Sequence, residues 1–92
     1  DDTKPLAKDV DKQTRQVMEN LKIILGELNL GFEHVLSVRI FLTEFKRDYE
    51  TMNTVYKSYF SANRLPARTC IGVSALARDA LVEIDMIAWR PG

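Results

Sequence analysis

The fold is decided by the stretch Pro66-Ala67-Arg68-Thr69-Cys70, in which a proline turn leads into a β-strand. Successive side chains of a strand point to opposite faces, so the strand has two distinct sides. One side is small and polar and starts with a cation: Arg68, Cys70, Gly72 and Ser74. The other side is largely apolar: Thr69, Ile71, Val73 and Ala75. An arginine at the start of such a strand predicts an anion as its partner.

A second strand is predicted over residues 81–89, which are rich in β-branched and aromatic side chains. Only a short connection separates it from the first strand, so the pair is expected to form an antiparallel hairpin. If the apolar rows of the hairpin match, Glu83 and Asp85 lie on the same sheet face as Arg68 and Cys70. That face would combine a guanidinium, a thiol and two carboxylates.

Upstream, apolar residues recur every three or four positions and predict an amphipathic helix over residues 9–28. Asp9 and Asp11 are candidate N-caps, and Asn29 suits the left-handed position that ends many helices. The expected buried stripe of this helix consists of Val10, Thr14, Val17, Leu21, Ile24 and Leu28.

Residues 36–43 alternate as a third strand, and residues 46–61 predict a second helix. The expected buried stripe of the second helix consists of Phe45, Tyr49, Met52, Tyr56 and either Tyr59 or Phe60. The order helix, strand, helix, strand, strand places both helices on one face of a sheet, which is an α+β arrangement. The opposite face is expected to carry Arg39, Phe41, Cys70, Gly72, Ile87 and Trp89. This much apolar surface predicts an oligomer.

Size and charge restrict the function. A chain of 92 residues predicts a single domain over residues 1–92, of which residues 1–7 are expected to be flexible. Thirteen basic residues balance thirteen acidic ones, so we expect no nucleic-acid partner. Apolar runs are too short for a membrane span, and no secretory signal is expected. One cysteine and one histidine predict neither an internal disulfide nor a metal site.

The motif of residues 66–70, together with Val-Glu-Ile-Asp-Met-Ile-Ala at residues 82–88, resembles the C-terminal signature of the reactive-intermediate deaminase family, also called Rid or YjgF. The resemblance extends through residues 35–42 and 53–56 and covers most of residues 8–90. It implies a chorismate-mutase-like fold, with two helices on one face of a mostly antiparallel sheet. It also implies a homotrimeric barrel with ligand clefts between subunits. Family members have additional N-terminal strands, with a serine-glycine segment and a tyrosine at the site, that have no counterpart in this sequence.

The resemblance further implies a function. Family members hydrolyse reactive 2-imino acids and their enamine tautomers, such as 2-aminoacrylate, 2-iminopropanoate and 2-iminobutanoate, to 2-keto acids and ammonia without a cofactor. By the same resemblance, Arg68 binds the α-carboxylate, Glu83 orients the hydrolytic water, and Asn53 lines the cleft of the neighbouring subunit. Cys70 is interpreted as a lining residue, because His34, the sole histidine, lies in a turn far from it. The expected location is the cytoplasm, or the mitochondrion in a eukaryote.

Other interpretations stay open for each of these residues. Arg68 could be a strand-end residue that pairs with Glu83 or Asp85, and Glu83 could be a structural counter-ion. Asn53 could be a helix-surface amide, and Cys70 a small hydrophobic residue. Tyr49, Tyr56, Asp85 and Trp89 are expected in the core, at an interface or in strand pairing.

Two rival functions also remain. The first is a trimeric binder or sensor that holds small keto acids or other carboxylates without turnover. The second is RNA cleavage or translation inhibition, an older association of the family. The zero net charge and the lack of a catalytic histidine weigh against the second rival.

Overall fold

Two helices and three strands form the part of the chain, residues 9–91, that this computed structural model describes. The predicted flexibility of residues 1–7 lies outside the described residues. The elements, in chain order, are α1 (Val10–Glu27), a 3₁₀ turn (Phe32–His34), β1 (Val35–Leu42), α2 (Phe45–Lys57), β2 (Ala67–Gly72), a second 3₁₀ turn (Ala77–Asp79) and β3 (Val82–Ala88). No helix in residues 9–91 is long and apolar enough to cross a lipid bilayer.

Both ends of α1 form as the sequence predicts. The Asp9 carboxylate accepts a hydrogen bond from the backbone N–H of Lys12 at 2.8 Å, which caps the helix. At the other end Asn29 has a φ of 60°, and the N–H of Leu30 donates to the carbonyl of Leu25 at 2.8 Å. This is a Schellman motif, in which a left-handed residue lets the chain turn back on the last turn.

The buried side of α1 is rotated relative to the prediction. Met18 is fully buried and Leu25 is nearly so, whereas Ile24 and Leu28 are 53% and 47% exposed. The predicted stripe was therefore wrong at Ile24 and Leu28, whereas Val17 and Leu21 pack against the core as predicted. The reason is that α1 packs against both α2 and β3, and these neighbours select Met18 and Leu25 instead of the adjacent apolar positions.

Helix α2 ends earlier than predicted. Its last helical residue is Lys57, and residues 58–60 continue as turns whose N–H groups donate to the carbonyls of Val55, Tyr56 and Lys57. Met52 and Tyr56 are buried as predicted, and Phe45 and Tyr49 pack at the edge of the same core.

The sheet is mixed, with the strand order β2-β1-β3. Strand β1 is central; it pairs with β2 in parallel and with β3 in antiparallel fashion. The predicted β2-β3 hairpin is therefore wrong, because both strands pair with β1. Helix α2 carries the chain back along β1, so β2 must run parallel to it, as in other strand-helix-strand units. The remaining edge of β1 is then filled by β3.

This pairing assigns the side chains to the two sheet faces. The helix-covered face carries Val38, Ile40 and Leu42 of β1, Arg68, Cys70 and Gly72 of β2, and Val82, Ile84 and Met86 of β3. The open face carries Arg39 and Phe41, Thr69 and Ile71, and Glu83 and Asp85. The predicted placement of Cys70 and Gly72 on the open face was wrong, as was the predicted shared face for Arg68 and Glu83. Both errors follow from the hairpin, since face assignment depends on which strand is the partner.

Candidate active site

Arg68 lies on the helix-covered face of edge strand β2, directly beside α2. Its Nη1 donates to Asn53 Oδ1 at 2.5 Å, and its Nη2 donates to Tyr49 Oη at 2.9 Å. The guanidinium carbon lies 5.1 Å from the ring centroid of Tyr56 and 5.8 Å from that of Tyr49. Positions 49, 53 and 56 are four and three residues apart, so α2 presents all three side chains on one face. The sequence signal for this cradle is that spacing, and Tyr56 also belongs to the core, with Tyr49 packed against it, as the sequence predicts.

The charge of Arg68 is not neutralised by any carboxylate among residues 9–91. Three other arginines do have such partners: Arg15 with Asp11, Arg39 with Asp85, and Arg47 with Asp48. The two groups that hold Arg68 are a hydroxyl and an amide, and neither carries charge. A half-buried guanidinium held only by neutral groups can still accept a carboxylate ligand in a charge-assisted, two-point contact.

A cleft of about 230 Å³ opens beside this guanidinium. Its walls are formed by Asn53, Tyr56, Lys57, Leu65, Pro66 and Arg68. Lys57, which ends α2, adds a second cation to the wall. The volume lies below the roughly 300–1,000 Å³ of sites for drug-sized ligands, so it suits a small acid.

Tyr56 forms the buried wall of the cleft. The residue is only 2% exposed, and its hydroxyl has no hydrogen-bond partner in the described part of the chain. Burial raises the pKa of this phenol above its ordinary 10.0, and the charge of Arg68 opposes the rise. Tyr56 is therefore a neutral phenol at physiological pH, and its ring supports the cation above it.

Cys70 lies two residues beyond Arg68 on the same face and is half-buried. Burial raises the pKa of its thiol above the ordinary 9.0, although the positive charge of Arg68 acts in the opposite direction. The charge of Arg68 by itself would favour a thiolate, but desolvation outweighs it. A protonated thiol is a poor nucleophile, which is consistent with a lining residue.

The two acidic candidates lie on the open face, away from Arg68. Asp85 accepts two hydrogen bonds from Arg39, from Nε at 2.9 Å and from Nη2 at 2.7 Å. These bonds lower the pKa of the Asp85 carboxyl. Glu83 is exposed and lies opposite Phe41 across the β1-β3 pair.

One chain therefore does not bring Arg68 and Glu83 together. They occupy the two outer strands, roughly 10 Å apart across the sheet, and their side chains point to opposite faces. The positions on β1 that they face, Val38 and Phe41, are also separated by roughly 10 Å along that strand.

His34 lies in the turn before β1, where its Nδ1 accepts a hydrogen bond from the N–H of Gly31 at 3.0 Å. It is remote from the Arg68 cleft, as expected from the sequence. Within residues 9–91 no three His, Cys, Asp or Glu side chains cluster closely enough to hold a metal ion.

Comparisons with known proteins show which family and fold the chain resembles. The family model described as Endoribonuclease L-PSP matches residues 1–90. A RutC family protein of Synechocystis is 39% identical over 82 residues, which is 89% of this chain and 62% of that relative. The 2-iminobutanoate/2-iminopropanoate deaminase of Salmonella typhimurium is 33% identical over 90 residues, 96% of this chain and 70% of that protein. The crystal structure of Escherichia coli TdcF with bound serine superimposes with a TM-score of 0.87 at 32% identity, covering 98% of this chain and 72% of that chain.

The chain spans 62% and 64% of the length of the RutC family relatives from Synechocystis and Pyrococcus horikoshii. The match nevertheless includes both helices, all three described strands and the residues around Arg68. On this evidence the chain belongs to the Rid/YjgF family, whose sequence model carries the description Endoribonuclease L-PSP.

Proposed function

We propose that this chain hydrolyses small reactive 2-imino acids, or their enamine tautomers, to 2-keto acids and ammonia. The proposed site is a cleft between subunits of a homotrimer. The reaction takes place in the cytoplasm, or in the mitochondrion of a eukaryote. It uses water as its only co-substrate. The substrates would be released by enzymes that eliminate water or another group from an amino acid.

The proposal is based on one observation, the fixed and unpaired guanidinium of Arg68. Its guanidinium is fixed by Tyr49 and Asn53, supported by the Tyr56 ring, and unpaired with any carboxylate in residues 9–91. Orienting a cation in this way has a cost in conformational entropy. A bound α-carboxylate would offset that cost with two charge-assisted hydrogen bonds.

Two relatives support the choice of ligand. The Salmonella typhimurium relative is named as an iminobutanoate and iminopropanoate deaminase. The Escherichia coli neighbour was crystallised with serine, which carries a carboxylate next to a nitrogen-bearing carbon. A 2-imino acid presents the same two groups, and the cleft of about 230 Å³ suits an acid of this size.

The proposed reaction needs little chemical machinery. The oxygen of water adds to C2 of the imine, and a proton moves to nitrogen to give a carbinolamine. The C–N bond then breaks, ammonia leaves with the electron pair, and the hydroxyl loses its proton to form the keto group. Arg68 would hold the carboxylate and disperse its negative charge, which otherwise repels the incoming oxygen.

A carboxylate that orients the water must come from outside the Arg68 cradle. We assign this role to Glu83 of a neighbouring copy, because Glu83 of the same chain points to the other sheet face. Packing of the open face of one copy against the β2 edge of the next would bring Glu83 to the Arg68 cleft and bury exposed apolar side chains, among them Ile71, Ile87 and Trp89. Light scattering that returns a monomer at micromolar concentration would remove both this contact and the proposed cleft.

A second candidate function is a binder of small keto acids or carboxylates without turnover. The absence of a carboxylate beside Arg68 in the described part of the chain favours it. The two functions predict the same affinity for keto acids and differ only in turnover.

The deciding experiment generates the imine in place. An amino-acid oxidase forms the 2-imino acid, and semicarbazide traps whatever has not been hydrolysed. We expect the chain to lower the semicarbazone yield, and Arg15→Lys, a change at an exposed ion pair that does not line the cleft, to lower it equally. An unchanged yield with retained keto-acid binding would establish the binder instead. If the chain neither hydrolyses the imine nor binds a keto acid, the proposed site is wrong.

A further inference from the structure

A second and larger cavity lies at the end of the helix layer, separate from the Arg68 cleft. Its volume is about 490 Å³, and it opens between the last turns of α1, residues 30–33 and the segment after α2. No lining residue is shared with the Arg68 cleft. We propose that this cavity binds an aromatic monocarboxylate.

The apolar walls suit a flat ring. Phe32 stands edge-on to two other aromatic residues, with ring centroids 5.7 Å from Tyr59 and 5.2 Å from Phe60. Leu25 and Leu30 complete the apolar lining. Aromatic rings prefer edge-to-face and offset contacts, and this wall offers both an edge and a face to a planar guest. The volume falls within the roughly 300–1,000 Å³ that small-molecule sites have.

The charges at the rim select an anion. Lys22 and Arg64 both line the cavity, and no side chain in residues 9–91 forms an ion pair with either. The third charged lining residue, Glu33, has its carboxylate folded against the backbone of Gly31, and the charged lining residues together sum to one positive unit. One carboxylate on the guest would complement that charge.

The nearby helix ends do not cancel this preference. The C-terminus of a helix normally presents carbonyl oxygens that repel anions. Here the carbonyls of Leu25 and Gly26 accept hydrogen bonds from residues 28–30, and those of Val55 and Lys57 accept from residues 58 and 60. These four carbonyl oxygens are therefore engaged within the chain.

Gly26 widens the cavity and lowers the stability of α1. Glycine within a helix stabilises the helix less than alanine does. Gly26 has no positive φ that would require a glycine at this position. A Cβ placed on Gly26 would meet no atom within 4 Å. The missing side chain therefore leaves open space in the cavity wall that a larger residue would fill.

The test uses 1-naphthylacetate as the probe and 1-naphthylmethylamine as its cationic counterpart, both titrated by calorimetry. We expect the acid to bind and the amine to bind at least about tenfold more weakly, because only the acid pairs with Lys22 and Arg64. Gly26→Leu should remove binding of the acid by filling the cavity. Gly26→Ala, which adds one methyl in the same place, should retain binding within about threefold.

Charge and location have their own controls. Lys22→Gln combined with Arg64→Gln should abolish the preference for the acid over the amine. Arg68→Ala should leave the affinity for naphthylacetate unchanged, because that residue belongs to the other cleft. The proposal is overturned if Gly26→Leu, with an unaltered circular dichroism spectrum, still binds the acid. It is equally overturned if the acid and the amine bind alike, or if Arg68→Ala removes binding.

Discussion

The hydroxyl of Tyr49 accepts a hydrogen bond from Nη2 of Arg68 at 2.9 Å, so a residue of α2 sets the direction of a guanidinium on β2. Tyr49→Phe removes this bond and keeps the ring. We expect the dissociation constant for a keto acid to rise by about three- to tenfold, since one fixed contact to the cation is lost. Isothermal titration measures the change. Tyr59→Phe is the matched control, because its hydroxyl bonds to Glu19 and not to Arg68; an equal loss in both variants would contradict a specific role for Tyr49.

Arg68→Lys should behave nearly like Arg68→Ala. Lysine keeps the charge but cannot offer a planar fork to a carboxylate, and its single nitrogen cannot reproduce the separate contacts that Nη1 and Nη2 make with Asn53 and Tyr49. We expect each variant to lose about 2–4 kcal/mol of transition-state stabilisation, as measured from kcat/KM for imine hydrolysis. Near-full activity in the lysine variant would show that Arg68 acts only as a point charge.

Glu83→Gln separates catalysis from binding. The amide keeps the shape of the side chain but is a poor base, so imine hydrolysis should fall by roughly 10²–10⁴ while keto-acid binding survives. Because we assign Arg68 and Glu83 of one cleft to different copies, mixing Glu83→Gln chains with Arg68→Ala chains should restore part of the activity. If hybrid trimers form and stay inactive, the two residues do not meet across a subunit boundary.

Cys70→Ala should retain most of the activity, since water and not sulfur is the proposed nucleophile. Burial holds the pKa of the Cys70 thiol above 9.0, so alkylation by iodoacetamide should be slow at pH 7 and accelerate only at more alkaline pH. Mass spectrometry of the alkylated chain follows the rate. Rapid labelling at pH 7, together with an inactive alanine variant, would indicate covalent catalysis.

Asp85→Asn should reduce thermal stability at neutral pH. Arg39 lowers the pKa of the Asp85 carboxyl below its ordinary 3.8, so the stabilising contribution is present above that value. It is lost as the pH falls through the lower pKa of the folded state. The effect is small because the pair is largely solvent-exposed. Calorimetric melting temperatures of the two proteins should therefore differ slightly at pH 7 and converge in acid; a gap that persists in acid would point to lost packing.

Local signals were enough to predict the elements themselves. The Asp9 cap, the left-handed Asn29 and the periodicity of α2 each depend on residues within one or two turns, and each is found in the structure. Strand pairing was not local in this sense. A short connection favoured a hairpin, but Arg78 and Asp79 adopt left-handed conformations and the chain passes to the far edge of β1.

The candidate site also has one part that local sequence predicts and one part that depends on strand pairing. Arg68 was recognisable from its motif as a candidate anion-binding residue, and its place beside Asn53 follows from the strand-helix packing. The position of Glu83 could not be predicted, because its face depends on its pairing with Phe41. A change of partner strand transfers a whole row of side chains to the opposite face.

Strand β2 pairs on one side only among the described residues, and it is the strand that carries Arg68. Its outer row of backbone N–H and carbonyl groups is therefore a template to which another chain can add. A second copy docked there would bring its own side chains to within a few ångströms of the guanidinium. Occupancy of the cleft would then follow protein concentration as well as ligand concentration. Dilution alone should weaken keto-acid binding, without any change in sequence or pH.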